Sequence, residues 1–169
     1  IDAPFMRPES LSGSRIGDWD VLHHALVECE KMDGCEYDYV LMFQPTSPFR
    51  NTADIEGAMQ LALEQGHDSV WSLTTTDTKD HPLKQLNVED SAMSYYDAAG
   101  KQIIARQQLI PTYQRNGIVY VVSRECILER RSILGKNPGA YIVERKTVNI
   151  DEPLDISWAE FLLENGHVD

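Results

Sequence analysis

VLMFQPTSPFRNTADIEGAMQLALEQG, residues 40–66, sets two prolines between an apolar run and an amphipathic one. The run leading into it, YDYVLMFQ, is short, continuous and carries β-branched and aromatic residues, the pattern of a strand buried on both faces. After the prolines, Ile55, Ala58, Met59, Leu61 and Ala62 recur on one helical stripe, and Gly66 stands where such a helix would stop. DSVWSLTTT reads as the next strand. Strand, helix and strand in this order predict an α/β fold, a parallel sheet with helices packed on it. A plain turn between strand and helix needs only Gly, Asn or one Pro. This crossing instead stiffens its backbone with Pro45 and Pro48 and surrounds it with Gln44, Thr46, Ser47 and Arg50.

Upstream, GDWDVLHHALVECEKM places Val21, Leu22, Ala25, Leu26 and Cys29 on one helical face, with Asp18 or Asp20 to cap its start and Gly34 to end it. Residues 1–17 have little periodicity and read as loop. Downstream, the character changes after Thr76: residues 77–115 hold short alternating segments and an AAGK turn, which predicts an antiparallel insertion projecting from the sheet. NGIVYVVSRECILERRSILG then reads as strand and helix, with Asn116-Gly117 as a turn before the strand. AYIVERKTVNID reads as a late strand, and EPLDISWAEFLLENG as a closing helix with Leu154, Trp158, Phe161 and Leu162 on its apolar face.

At 169 residues the chain suits one well-buried domain, so 1–169 is read as a single unit carrying the 77–115 insertion. Its 42% hydrophobic and 25% charged residues are the balance of a soluble globular protein. No stretch approaches about 20 uninterrupted apolar residues, and IDAPFMRPES lacks a signal-peptide pattern. Neither a membrane partner nor secretion is therefore expected. Cys29, Cys35 and Cys126 are an odd number with no C-x-x-C pair, which suits reduced thiols in the cytoplasm. A net charge of −12 weighs against nucleic-acid binding, although a few local Arg or Lys residues can still hold a small anion.

Three segments carry polar chemistry. In open α/β sheets ligands collect outside the carboxyl ends of the strands, and QPTSPFR occupies such an end, followed by a helix N-terminus near Asn51 or Thr52. The same residues also suit a helix entry with hydroxyl caps and proline in the first turn. RQQLIPTYQRNGIVY, residues 106–120, clusters Arg106, Gln107, Tyr113, Arg115 and Asn116 around one proline-bearing loop. NIDEPLDI, residues 149–156, offers Asp151 and Asp155 near a strand end. Mg²⁺ is usually held by one or two carboxylates plus phosphates and water; Asp151 suits that role, and Asp155 suits a cap for the last helix. His23 and His24 are adjacent on a helix and face different ways, so they read as surface or packing residues. KDHPLK, residues 79–84, reads as a solvated charged loop or an anion contact.

Together these segments resemble the acylneuraminate cytidylyltransferases and their relatives that act on other nonulosonic acids. The matching stretches, in family order, are PFMRPESLSG, WDVLHHAL, LMFQPTSPFR, DHPLK, RQQLIPTYQRNGIVY and VNIDEPLDISWAE. The resemblance implies a Rossmann-like nucleotidyltransferase with a mostly parallel sheet, helices on both faces and an antiparallel insertion used for dimerisation. It implies transfer of CMP from CTP to a sugar acid with release of pyrophosphate, Mg²⁺ as cofactor, and a homodimer whose sites are completed in trans. Carried over by motif, Gln44 and Thr46 bind the sugar acid, and Ser47 and Arg50 support that loop. Gln107, Tyr113 and Asn116 flank the acceptor pocket, Arg106 matches an arginine expected in catalysis, and Asp151 matches a metal-binding catalytic aspartate.

Two departures accompany the match. A second acidic residue is common in the family two positions before Asp151, and here it is Asn149, whose amide oxygen can coordinate a metal without charge. The family also has a strand and a loop of the type ARxGSKGxxxKN for the CTP phosphates ahead of the first matched stretch, so an N-terminally incomplete domain is expected. The alternatives are an octulosonic acid cytidylyltransferase and a non-catalytic remnant that keeps sugar binding and the dimer surface.

Overall fold

The computed structural model describes residues 2–168. Helix α1 (Asp18–Asp33) leads to strand β1 (Tyr39–Met42), helix α2 (Thr52–Gln65) and strand β2 (Ser69–Thr75). A hairpin of β3 (Leu86–Glu89) and β4 (Ala92–Tyr95) follows, then β5 (Tyr113–Ser123), α3 (Arg124–Leu128), β6 (Pro138–Ile142) and α4 (Pro153–Glu164). The main sheet has the order β1-β5-β2-β6.

This is the expected α/β architecture, with one change in how its strands pair. Strands β1, β2 and β6 run the same way, but β5 lies between β1 and β2 and opposes both, so the sheet is mixed. The insertion explains the reversal. It leaves the end of β2 and returns to that same end, where Thr76 N–H donates to Thr112 O at 2.8 Å and Thr75 pairs with Tyr113. A strand entered from that side must run backwards.

Helices cover both faces. On one, Val119 and Val121 of β5 and Val70 of β2 pack with Ala58 and Ala62 of α2. On the other, Val122 packs with Leu22 and Leu26 of α1 and with Cys126 and Ile127 of α3. Strand β5 is thus the one buried on both sides, continuously from Asn116 to Val122. Strand β1, read as buried on both faces, is only half-buried along its length because it forms one edge of the sheet.

The helix boundaries follow local chemistry. Gly34 and Gly66 end α1 and α2 in the left-handed region at φ +66°. Asn51 caps α2: its Oδ1 accepts Asp54 N–H at 2.9 Å, and Asp54 Oδ2 accepts Asn51 N–H at 3.0 Å. The N-cap of α1 is Gly17, with Asp20 Oδ2 accepting its N–H.

Three sequence expectations are revised. Asn116-Gly117 is no turn before β5 but a bulge within it, described below. The late strand stops at Ile142, where its ladder with β2 ends at Leu73, and residues 143–152 run on without regular structure. Helix α4 buries Ala159 and Leu162 against Val148, Phe49 and Ile150, while Leu154, Trp158 and Phe161 are exposed.

Candidate active site at the strand ends

Three segments far apart in sequence meet beyond the end of β1. The first is the proline loop. Gln44 N–H donates to Gly117 O at 3.1 Å, and the Ser47 hydroxyl, 2% exposed, donates to Asn116 O at 2.7 Å. Arg50 closes the loop from the other side: Nε donates to Ile118 O, and Nη2 donates to Gln44 O at 2.9 Å and to Gly117 O at 3.3 Å. Its guanidinium also lies 4.7 Å from the centre of the Phe43 ring. Burial pushes Arg50 below the ordinary arginine range, and the nearby Asp54 charge opposes that shift.

The second segment is the bulge. The β2–β5 register passes from Trp71↔Tyr120 to Leu73↔Arg115, so β5 carries extra residues opposite Ser72. Gly117 there has φ +71°, and a Cβ on it would overlap Gln44 Oε1 and Ser47 Oγ. Buried Ser72 holds the bulge: its hydroxyl donates to Asn116 Oδ1 at 2.6 Å and accepts Val119 N–H at 2.9 Å. Asn116 Oδ1 also accepts Ile118 N–H at 3.1 Å. These bonds fill the oxygen side of the amide, and Asn116 Nδ2 remains buried without a partner.

The third segment is 143–151. Ile150 N–H donates to Thr46 O at 2.8 Å, and Ser47 Oγ lies 3.5 Å from Asn149 Oδ1. Arg145 reaches back to the first turn of α2. Its Nη1 donates to Asp54 Oδ1 at 2.6 Å, and its Nη2 bonds Asp54 Oδ2 and donates to Phe49 O at 2.6 Å. Asp155 caps α4 as expected, accepting the N–H groups of Asp151 and Glu152 at 2.9 Å each; those bonds hold its carboxyl below the usual aspartate range.

The sequence-predicted residues therefore divide. Gln44, Thr46, Ser47, Arg50, Asn116, Asn149 and Asp151 come together. Within that group Ser47 and Arg50 donate to backbone carbonyls of the proline loop and the bulge. Arg106 and Gln107 sit in a short exposed 3₁₀ turn at 106–108, and Tyr113 opens β5 opposite Thr75, 48% exposed. Among the described residues no hydrogen bond joins these three to the cluster. Ser72, Asp54 and Arg145 were not singled out from the sequence. A lone serine in a strand and an Arg–Asp pair 91 residues apart carry no local signature.

A cavity of about 300 Å³ is lined by Thr74, Thr75, Asp77, Gln114, Arg145 and Lys146 among others, and by none of the seven clustered residues. It lies at the carboxyl ends of β2 and β6, where an α/β sheet presents its ligand side. A hard cation would find one exposed carboxylate, Asp151, and the Asn149 amide, whose Nδ2 donates to Asp151 Oδ2 at 2.6 Å. Among the described residues no group of three or more His, Cys, Asp or Glu side chains could hold a metal. This donor set fits a Mg²⁺ that brings phosphate ligands with it, and does not fit a closed protein cage.

Comparison with known proteins finds similar sequences at modest identity. A post-translational flagellin modification protein B of Campylobacter coli is 25% identical over 166 residues, 97% of this chain and 69% of that protein. The N-acylneuraminate cytidylyltransferase of Escherichia coli O18:K1:H7 is 26% identical over 157 residues. The CMP-N,N'-diacetyllegionaminic acid synthase of Legionella pneumophila is 26% identical over 166 residues, 95% of this chain and 68% of that enzyme. The chain is thus similar to N-acylneuraminate cytidylyltransferases and to a CMP-legionaminic acid synthase. It covers 91% of itself but only 35% of the E. coli relative. No family model matches it. A solved CMP:2-keto-3-deoxy-manno-octonic acid synthetase, complexed with CTP, shares the fold at TM-score 0.57 and 14% identity, covering 90% of this chain and 70% of that one.

Proposed function

We propose that this protein is a nucleotidyltransferase that moves CMP from CTP to a sialic-type nonulosonic acid, releasing pyrophosphate. The observation that carries the proposal is the junction of the proline loop, the Asn116-Gly117 bulge and the Asn149–Asp151 segment through the Ile150–Thr46 and Ser47–Asn116 hydrogen bonds. The names of the relatives support the same reaction class. The octulosonic acid variant is the closest alternative.

In this reaction the sugar's anomeric hydroxyl attacks the α-phosphate of CTP, and pyrophosphate leaves on the opposite side. The protein's part is to hold two anions in line and to meet developing charge with fixed donors. Half-buried Gln44 and Thr46, on a backbone locked by Arg50, Ser47 and two prolines, present an amide and a hydroxyl to the sugar acid without a large ordering penalty. The partnerless Asn116 Nδ2 is a donor suited to an acceptor oxygen. Asp151, with Asn149, would hold Mg²⁺, which supplies neutralisation of phosphate charge when bound. Arg106, Gln107 and Tyr113 reach a site only if the insertion packs against a second copy, and the homodimer is part of the proposal. A single domain working in the cytoplasm completes it.

The test is pyrophosphate release by the protein with CTP, Mg²⁺ and a panel of nonulosonic and octulosonic acids. Turnover with a nonulosonic acid is expected. Turnover with an octulosonic acid alone selects the alternative, and calorimetric sugar-acid binding without turnover selects a non-catalytic binding role.

A further inference from the structure

The geometry points to Asp54 and Arg145 as a positioning pair that sets Asp151 against the Gln44–Thr46 loop. The inference rests on the cytidylyltransferase reading for its kinetic consequence, and on the hydrogen bonds alone for its structural one. After β6 ends at Ile142 the chain has no ladder to guide it, yet nine residues later it must deliver Asp151. Beyond the Val143 N–H to Leu73 O bond and the burial of Val143 and Val148, two ties fix it to the proline loop and α2. One is the Ile150–Thr46 backbone bond at 2.8 Å. The other is Arg145, whose planar fork takes both oxygens of Asp54 and the carbonyl of Phe49. Phe49 closes the proline loop and Asp54 lies in the first turn of the helix that follows it, so the fork holds loop, helix and the Asp151 segment in one register.

The surroundings fit a positioning role. Asp54 is 2% exposed and also accepts Asn51 N–H, so its charge is fully met by donors. Buried ion pairs of this kind often contribute little net stability compared with apolar residues of similar size. Stability alone therefore does not require an Arg–Asp fork here, whereas a fixed register between two irregular segments does. Arg145 also lines the 300 Å³ cavity at the strand ends, so the ordered segment forms part of its wall.

The experiment compares Arg145→Lys, Arg145→Met and the double variant Asp54→Met with Arg145→Met in the full protein. Ser123→Ala, which removes the cap of α3, serves as a control for ordinary destabilisation. Arg145→Lys keeps the charge but loses the fork, and kcat should fall at least tenfold with KM for CTP within about twofold. The double Met variant should melt close to the wild type yet keep the loss in kcat. Amide exchange supplies a readout independent of activity: Ile150 N–H should exchange at least tenfold faster in both Arg145 variants, with the core amides of β5 unchanged. The control should alter neither. Full kcat in a folded Arg145→Met protein, recovery of kcat in the double variant, or unchanged protection at Ile150 would each overturn the inference. If the wild type turns over no sugar acid, the cytidylyltransferase reading fails, and the exchange result alone decides the pair.

Discussion

Gly117 shows why one residue type is required at one place. Its φ of +71° and the overlap that a Cβ would make with Gln44 Oε1 and Ser47 Oγ act together. Gly117→Ala should lower unfolding free energy by about 1–3 kcal/mol, and it should weaken sugar-acid binding because Gln44 must move. Urea denaturation and calorimetry check the two effects, and unchanged binding would remove Gln44 from the sugar site. Asp151 and Asp155 separate on the same logic. Asp151 is exposed and its side chain accepts a hydrogen bond from the Asn149 amide, while Asp155 is engaged by two backbone N–H groups. Asp151→Asn should abolish most Mg²⁺-dependent turnover, and Asp155→Asn should mainly lower the melting temperature. Equal kinetic losses would reverse this assignment. The sequence placed both aspartates near a strand end and favoured Asp155 as the cap; the Ser72–Asn116 bond was invisible because nothing local to Ser72 announces a partner 44 residues away.

At the scale of elements, α4 and the β2 entry are both held by acidic side chains on backbone donors. Burial pushes Asp68 up, but the N–H groups of Lys136 and Asn137, with help from Cys126 and Arg130, outweigh it and leave the carboxyl below its ordinary value. Asp155 is lowered by the N–H groups of Asp151 and Glu152. Both folded values lie beneath the unfolded one, near 3.9, so the unfolded chain takes up protons first as pH falls. The stability they contribute is complete above about pH 5 and is lost as pH drops through the folded values, below about pH 4. Urea titrations from pH 3 to 7 should show this decline. The gap between Asp155→Asn and wild type should be wide at pH 7 and narrow at pH 3; a constant gap would show that charge plays no part. Helices α1 and α2 were legible from their apolar stripes and glycine stops because those signals are local. Strand β5 was read as starting after a turn because Asn-Gly is a turn signal in any chain, and distant partners, Ser72 across the ladder and Gln44, Ser47 and Arg50 of the proline loop, hold it as a bulge.

For the whole molecule, the hairpin is a part that exposes apolar side chains on both its strands. Val88 and Met93 are cross-strand partners, 72% and 76% exposed, and Leu86 of the same hairpin is 49% exposed. Apolar side chains grouped this way mark an interaction surface. The protein should sediment as a dimer at micromolar concentration, and Val88→Glu with Met93→Glu should yield a monomer with the sheet intact by circular dichroism. A wild-type monomer under those conditions would remove the homodimer and the completion of sites in trans.

Local pattern by itself determined the helices, the α/β class and the stiff proline loop between β1 and α2, because periodicity, glycine stops and proline stiffness act over a few residues. The direction of β5, the bulge at Gly117, the carbonyl partners of Ser47 and Arg50 and the Asp54–Arg145 fork were decided only in the folded chain. Each depends on a hydrogen-bonding group finding its partner tens of residues away, and the sequence near either partner is compatible with many such pairings. Burial makes the choice, since a polar group removed from water must be satisfied by whichever partner the packing brings within reach.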